Sequence, residues 1–255
     1  MKLTIIKVGG KIVEEEATLS CLLERFAALT GHKLLVHGGG RSATRLADRL
    51  GMESRLVGGR RITDADTLKV VTMVYAGLVN KNIVAGLQAR GVNALGVTGA
   101  DMDLIRSARR PAGEVDYGFV GDVTQVNTPR LVDLLQRGVV PVLAPLTHDG
   151  RGQLLNTNAD TIAGETAKAL APLLQVTLTY CFENPGVLRN EHDPQSVIRR
   201  LSPADYERYK ADGTVGGGMI PKLDNAFEAL RAGVSEVVIT SWDDLAGEGG
   251  TRITV

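Results

Sequence analysis

The chain has 255 residues, 44% of them hydrophobic, which is enough to bury the core of one large domain or of two lobes. Lys plus Arg and Asp plus Glu are both 29, so no net charge favours nucleic acid or an anionic membrane as a partner. The first residues have too short an apolar run for a signal peptide, and no stretch approaches the roughly 20 apolar residues of a membrane span, so we expect a soluble cytoplasmic protein.

Short runs rich in β-branched residues alternate with longer helical patterns. The predicted strands are LTIIKV (3–8), KLLVH (33–37), ALGVT (94–98), VVPVLAP (139–145), VTLTY (176–180) and EVVIT (236–240). Helical spacing of apolar residues predicts helices around Leu19, Leu22, Leu23 and Phe26, around Leu131, Leu134 and Leu135, and around Ile162, Thr166 and Leu170. This alternation predicts an α/β fold with a mainly parallel sheet covered on both faces.

Two segments depart from this simple alternation. The longest helical pattern, from about Asp66 to Arg90, has more apolar side chains than one face against a sheet needs, so part of it is expected to contact another subunit. Between residues 104 and 127, alternating residues around turns at Pro111, Gly113 and Gly121 predict inserted antiparallel hairpins. Any boundary between lobes is expected near residues 170–176.

The sequence predicts neither a disulfide nor a metal centre held by the protein. Cys21 and Cys181 form no CxxC motif and histidines are not clustered, so both cysteines are expected to be packing residues. Asp101 and Asp103 resemble a metal motif, but a solvated turn explains them better.

Three glycine-rich segments lie beside a lysine or open a helix. They are IIKVGGK (5–11), with Lys7 before Gly9 and Gly10; VHGGGRSA (36–43); and GTVGGGMIPK (213–222), ending at Lys222. Backbone N–H groups at such loops and helix starts bind anions. Each segment alone also fits a turn with a solvated lysine, but their combination in one chain indicates an anion site.

The second glycine segment also fits the loose dinucleotide pattern G-x-G-x-x-A through Gly38, Gly40 and Ala43. The acidic residue expected about 20 positions later is not clear, because Asp64 and Asp66 look like a helix start. An NAD site is therefore disfavoured, and the absence of GxxxxGK[ST] excludes a Walker-type phosphate loop.

These residue types suit phosphoryl transfer to a carboxylate, which needs positioned cations and N–H donors and no histidine base. Arg61, in VGGRRITDAD (57–66), is a candidate for bidentate binding of a substrate carboxylate, although a solvated arginine explains it equally well. Asn156, Asn158 and Asp160 precede an apolar helix, where such residues are typical caps. Asp160 could serve as both cap and site residue.

With these segments in order, the chain resembles the amino acid kinase family. The matching segments are KVGG, VHGGG, GGRRIT, GLVNK (77–81), YGFVGDV (117–123), LNTNAD, GGMIPK and GTRI (250–253). The resemblance implies a three-layer αβα sandwich of the carbamate kinase-like fold. Residues 1–172 would bind an acyl-amino acid and form a dimer contact, and residues 173–255 would bind ATP with its Mg²⁺. The implied activity is phosphorylation of the side-chain carboxylate of N-acetyl-L-glutamate, or another N-acylglutamate, in arginine biosynthesis.

The resemblance also implies a role for each candidate residue. Lys7 and Lys222 would flank the transferring phosphoryl group, and Asp160 would hold both lysines. The implied phosphate-binding residues are Gly9, Gly10, Gly39, Gly217 and Gly218. The implied substrate-binding residues are Gly38, Gly39, Arg61, Asn156 and Asn158. Mg²⁺ would be carried by ATP rather than by a protein cage.

One segment departs from the family pattern. After VTLTY, where the family usually has Thr-Asp or Ser-Asp, the chain reads CFENPGVL (181–188). Phe182 replaces the hydroxyl residue and Glu183 takes the aspartate position, while Gly186 keeps the turn. The resemblance assigns Glu183 and Gly186 to the nucleotide pocket.

Two alternatives remain open on the sequence. The chain could be an aspartate, glutamate or carbamate kinase-like member of the same family, or a non-catalytic nucleotide-binding sensor, which the joint presence of Lys7, Asp160 and Lys222 disfavours. The first strand begins by about Leu3, which leaves no room for the N-terminal helix that joins arginine-inhibited members into hexamers. The resemblance therefore implies a homodimer that does not respond to arginine.

Overall fold

An eight-stranded sheet forms the centre of the protein in a computed structural model that describes residues 1–216, 219–246 and 248–254. With strands numbered along the chain, the spatial order is β12 (Arg200–Leu201), β14 (Thr251–Ile253), β13 (Glu236–Ser241), β11 (Gln175–Phe182), β1 (Lys2–Val8), β2 (His32–His37), β8 (Val140–Leu143) and β5 (Ala94–Val97). Neighbours are parallel except β13 and β14. All six predicted strands are confirmed, and the two short strands β12 and β14 were not predicted.

Helices cover both faces of this sheet. Because side chains alternate along a strand, Ile5 of β1 packs into one core and Ile6 into the other. The core around Ile6 takes residues from α1 (Gly10–Glu14), α2 (Glu16–Ala28), α3 (Gly40–Arg49), α4 (Ala65–Thr72) and α5 (Asn80–Gln88). The core around Ile5 takes residues from α6 (Thr128–Gln136), α7 (Ala159–Leu170), α8 (Pro203–Ala211) and α9 (Ile220–Arg231). The predicted three-layer αβα sandwich is confirmed.

The central pair β1 and β11 crosses the expected lobe boundary. The two strands are in parallel register over seven pairs, from Lys2 opposite Gln175 to Val8 opposite Cys181. The boundary near residues 170–176 falls in the connection between α7 and β11. One sheet therefore runs through residues 1–172 and 173–255.

A second, four-stranded sheet contains β10 (Leu154–Asn156), β9 (Leu146–His148), β6 (Ile105–Arg109) and β7 (Gly121–Val126), and β3 (Leu56–Val57) pairs with β4 (Arg60–Arg61). The antiparallel pair β6 and β7 confirms the inserted hairpin. The expected turn at Gly121 is wrong, because Gly121 begins β7. A Cβ atom there would lie 2.8 Å from the Cβ of Ser107, so this glycine permits close strand approach.

The long helical pattern is confirmed as one continuous stretch, Ala65–Gln88. It consists of α4, a π-helical segment Met73–Val79 and α5, and the Asp64 side chain caps its start by accepting from the Thr67 N–H at 2.7 Å. At 24 residues it is long and apolar enough to cross a membrane by length and composition alone, so the expectation that no segment approaches such a span is wrong. Core helices meet the same criterion, and 44% of its most apolar part is buried.

Neither the cysteines nor the Asp101–Asp103 turn forms part of a candidate metal site among the described residues. Cys181 is buried in β11, where burial raises the pKa of its thiol to about 12. Cys21 is exposed on α2, so the expectation that it packs is wrong. Asp101 and Asp103 form a 3₁₀ turn, in which Asp103 pairs with Arg106. Within the described ranges, no group of three or more Asp, Glu, His or Cys side chains could hold a metal ion.

Candidate active site

The predicted site residues gather at the carboxyl edge of β1, β2 and β11, around two adjoining cavities. The smaller cavity, of about 220 Å³, is lined by residues that include Gly38, Gly39, Arg61, Asn156 and Asn158. The larger cavity, of about 480 Å³, is lined by residues that include Gly9, Phe182, Glu183, Gly186 and Lys222. Residues that line both, and so lie at the junction, include Lys7, Gly10 and Asp160. Gly217 and Gly218 lie outside the described residues.

An ion pair occupies the junction. Lys7 is the penultimate residue of β1, on the face that carries α7. Its Nζ lies 2.7 Å from Asp160 Oδ1, with the side chains 8% and 17% exposed. This contact is an ion pair and does not have the geometry of a hydrogen bond. Asp160 Oδ1 is therefore a buried oxygen without a hydrogen-bond donor among the described residues. Two charges this shielded attract more strongly than an exposed pair, and removing one leaves the other buried without a partner. The pair therefore fixes both side chains at the junction.

Asn158, not Asp160, caps α7. Its Oδ1 accepts from the N–H groups of Asp160 at 2.7 Å and Thr161 at 3.3 Å. The prediction that Asp160 caps this helix is therefore wrong. Because Asn158 satisfies the helix start, the Asp160 carboxylate is left for Lys7.

Lys222 reaches the larger cavity from the first turn of α9. Its Nζ lies 3.9 Å from the centroid of the Phe182 ring, and Lys7 Nζ lies 5.0 Å from the same centroid. Burial lowers the pKa of Lys222, Asp160 opposes this effect and Lys7 adds to it. Among the described residues, Asp160 forms an ion pair with Lys7 and not with Lys222.

The first two glycine segments touch each other through backbone. The Gly38 N–H donates to Val8 O at 3.1 Å, and a Cβ on Gly38 would lie 3.0 Å from Gly10 N. A Cβ on Gly39 would lie 2.9 Å from Tyr75 Cδ1. The Gly9 N–H donates to the carbonyl of Cys181 at 3.2 Å, so this N–H is used within the protein. Gly38 and Gly39 are needed for close approach, a reason the sequence did not reveal.

Arg61 is buried beside the smaller cavity, with 8% exposure, which rules out a solvated arginine. Its Nη2 donates to Gly40 O and Thr44 Oγ1, both at 2.8 Å, and its Nη1 donates to Ser54 Oγ at 2.9 Å. Tyr75 also lies within hydrogen-bond reach of the guanidinium, so a ligand would share the Arg61 donors with the protein. A bidentate contact that uses Nη2 requires one of these protein partners to be displaced.

Asn156 joins its own segment, LNTNAD, to two other family segments at the smaller cavity. Its Nδ2 donates to Thr63 Oγ1 at 2.9 Å, and its backbone N–H donates to Phe119 O at 2.8 Å. The side chain is buried and lines the cavity. These contacts join LNTNAD to GGRRIT through Thr63 and to YGFVGDV through Phe119, at one wall of the cavity.

Glu183 and Gly186 lie at the far side of the larger cavity. Glu183 pairs with Lys11 at 2.7 Å, and both side chains are about half exposed. A Cβ on Gly186 would lie 2.7 Å from Thr251 Oγ1, which accepts from the Val187 N–H at 2.8 Å. The GTRI segment therefore packs directly under this turn.

The sequence analysis did not single out His37 and Asn80, two buried polar residues that contact each other. His37 is fully buried, with Nδ1 2.7 Å from Gly38 O and Nε2 3.1 Å from Asn80 Nδ2. Burial lowers the pKa of His37 to about 4, so the ring is neutral at pH 7. These contacts assign the tautomer of His37: its Nδ1–H donates to Gly38 O, and its Nε2 accepts from the Asn80 amide. The only signal in the sequence was a histidine between a buried strand and a glycine loop.

The chain is similar to known proteins in sequence and in fold. The model of the amino acid kinase family matches residues 2–241. Acetylglutamate kinase of Bacteroides thetaiotaomicron is 70% identical over 252 residues, which cover 99% of this chain and 98% of that protein. The crystal structure of smu.665 from Streptococcus mutans has a TM-score of 0.80 at 28% identity and covers 99% of this chain and 98% of its own.

A carbamate kinase from Giardia lamblia bound to AMP-PNP has a TM-score of 0.69 at 14% identity, with 98% of this chain and 97% of that chain covered, a likeness of fold alone. The match of the family model spans the segments around both cavities. The chain therefore belongs to the amino acid kinase family.

Proposed function

We propose that the protein is an ATP-dependent kinase that phosphorylates the side-chain carboxylate of N-acetylglutamate, or another N-acylglutamate, in arginine biosynthesis. The observation that carries this proposal is the Lys7–Asp160 pair at the junction of two cavities. The 70% identity to an acetylglutamate kinase supports the choice of substrate. We further propose that it acts in the cytoplasm, without nucleic acid or membrane as a partner.

In this proposal the smaller cavity, formed within residues 1–172, binds the acylglutamate, and the larger cavity binds MgATP with residues 173–255 contributing Lys222 and Glu183. One oxygen of the ionised side-chain carboxylate attacks the γ-phosphorus, and the bond to the leaving ADP breaks. The products are an acyl phosphate and ADP, and no proton is transferred. Lys7 and Lys222 offset the negative charge on the transferring group, and Asp160 keeps Lys7 in place.

Mg²⁺ enters this proposal as part of the substrate MgATP. The described residues hold no cluster of three or more side chains suited to a metal, and the Asp160 carboxylate is already engaged by Lys7. Magnesium is commonly bound through phosphate oxygens and water in kinases, and this arrangement needs no protein cage.

A hydroxylamine trapping assay tests the reaction class. Acyl phosphates react with hydroxylamine to give hydroxamates, which form coloured complexes with iron. The substrates to compare are N-acetylglutamate, N-succinylglutamate, free glutamate and aspartate, each with MgATP. We expect turnover with at least one N-acylglutamate and little with the free amino acids. Turnover of only glutamate or aspartate would assign a different kinase of the family, and ATP binding without turnover of any acceptor would assign a sensor.

Arg61→Ala is expected to raise KM for the acylglutamate about tenfold or more and to change kcat little, because a carboxylate contact stabilises ground and transition states alike. Steady-state kinetics in the trapping assay measures this split. Arg45→Ala is the matched control, since Arg45 lies on α3 with 65% of its side chain exposed. An amino-acid KM equal to that of the wild type would remove Arg61 from the substrate site.

We also propose a homodimer that forms through the long helix. Met73 and Leu78 on this helix are 54% and 56% exposed, and Leu95 on the neighbouring edge strand β5 is 39% exposed. Apolar side chains this exposed on one helix and strand are typical of a self-complementary contact.

Light scattering is therefore expected to give about twice the 27.1 kDa chain mass. Leu78→Asp should give monomers, because it puts a charge into the contact. Leu173→Asp is the control, because Leu173 is 58% exposed but lies between α7 and β11. A wild-type monomer, or a dimer that survives Leu78→Asp, would argue against this contact.

A further inference from the structure

Phe182 is a half-buried aromatic residue at the centre of the site. It ends β11 beside the glycine turn of β1, where the Gly9 N–H donates to the preceding carbonyl, that of Cys181, at 3.2 Å. Tyr180, two residues earlier, points to the same face of the strand, and the two rings are parallel within 3° at 6.2 Å between centroids. Since Tyr180 is fully buried, it restricts the tilt of the Phe182 ring.

The surroundings of this ring pose an electrostatic problem. Two ammonium groups, those of Lys7 and Lys222, approach the junction with one carboxylate, Asp160, and that carboxylate contacts Lys7. Burial and the neighbouring Lys7 both lower the pKa of Lys222, while Asp160 only partly offsets them.

The face of an aromatic ring attracts a cation within about 6 Å of its centroid, and the attraction strengthens when both are shielded from water. Lys222 Nζ at 3.9 Å and Lys7 Nζ at 5.0 Å both meet this limit at Phe182.

We propose that Phe182 is a positioning residue whose ring holds the ammonium groups of Lys222 and Lys7 at the phosphoryl-transfer site. This inference rests on the proposed kinase function only for its kinetic consequence. The contact between ring and cations is a property of the folded protein and can be measured without any substrate. A competing role for the ring is to pack against the nucleotide base, since Phe182 also lines the larger cavity.

Kinetics separates these two roles. In Phe182→Leu we expect kcat to fall about tenfold, with KM for the acylglutamate unchanged, because misplaced cations lose transition-state contacts. Phe182→Tyr keeps the ring and should restore kcat to within about twofold of the wild type. Phe26→Leu is the matched control, because the Phe26 ring has a lysine, Lys33, at 5.1 Å but lines neither cavity. It should lower stability without changing either constant. A raised KM for ATP with unchanged kcat in Phe182→Leu would overturn the proposal.

A double-mutant cycle tests the contact itself. The unfolding equilibrium constants of wild type, Phe182→Leu, Lys222→Met and the double variant are measured in urea. We expect a favourable coupling of roughly two- to thirtyfold between the two positions, the range of cation–π contacts from exposed to desolvated. If Phe182→Leu does not fold, Phe182→Met takes its place.

The two failures are distinguishable. Additive effects on unfolding would overturn the role of Phe182 even in an active kinase. A wild type without kinase activity would overturn the proposed function, and the cycle would still decide whether the ring holds Lys222.

Discussion

Replacing Lys7 or Lys222 with alanine is expected to lower kcat by two or more orders of magnitude. Each change removes a cation that acts on charge in the transition state, and comparable donors contribute about 3 to 4 kcal/mol to lowering the barrier. The trapping assay with saturating MgATP and acylglutamate measures kcat. Lys210→Ala, on the exposed side of α8, is the control and should retain wild-type turnover. Near-normal kcat in both site variants would rule out a role for these lysines in phosphoryl transfer.

The two lysine variants should differ in stability. Lys7→Ala leaves the Asp160 carboxylate largely buried without its ion-pair partner, which costs about 3 kcal/mol of unfolding free energy, whereas Lys222→Ala breaks no ion pair among the described residues. Adding Asp160→Asn to Lys7→Ala should recover most of the lost stability and none of the turnover. Urea unfolding beside the kinetic assay therefore separates loss of the fold from loss of the reacting cation.

Gly38→Ala is expected to lower kcat/KM severalfold, although it adds only one methyl group. The new Cβ would lie 3.0 Å from Gly10 N and 3.3 Å from Gly10 Cα, and neither backbone atom can turn aside as a side chain can. The loops of β1 and β2 must move apart by a few tenths of an ångström, and since a displacement on the order of 1 Å at a reacting site costs about 10² in rate, this smaller shift should cost less.

Gly113→Ala is the control for this substitution, because a Cβ at Gly113 meets no atom within 4 Å and the backbone there does not have a positive φ. Steady-state kinetics on both variants measures kcat/KM. Wild-type kcat/KM in Gly38→Ala would mean that the two loops tolerate separation and that their contact does not set the geometry of the site.

The main elements of the fold were predictable because they depend on local patterns. Short apolar runs marked β1, β2 and β11, and helical spacing of apolar residues marked α2 and α7. β12 and β14 have only two and three residues, too few for a periodicity to appear. The π-helical segment Met73–Val79 has the same apolar pattern as the helix around it, so its altered hydrogen bonding leaves no trace in the sequence.

The candidate site was predictable only as a set of segments in family order. Which of Asn158 and Asp160 caps α7 depends on side-chain torsions, since both residue types suit the position. The approach of Lys222 to Phe182 joins residues 40 positions apart through the packing of α9 on the sheet, and the His37–Asn80 contact spans 43 positions. Such distant contacts follow from the assembled layers and not from any local pattern.

The unbroken ladder between β1 and β11 limits how this protein can open and close around two substrates. A hinge between residues 1–172 and 173–255 would have to break some of the seven register pairs that join the strands, in the most buried part of the sheet. Such a rupture approaches global unfolding in free energy and is too rare to accompany every turnover. We therefore expect any opening of the cavities to occur by movement of the helices and loops that line them, while β1 and β11 stay paired beneath.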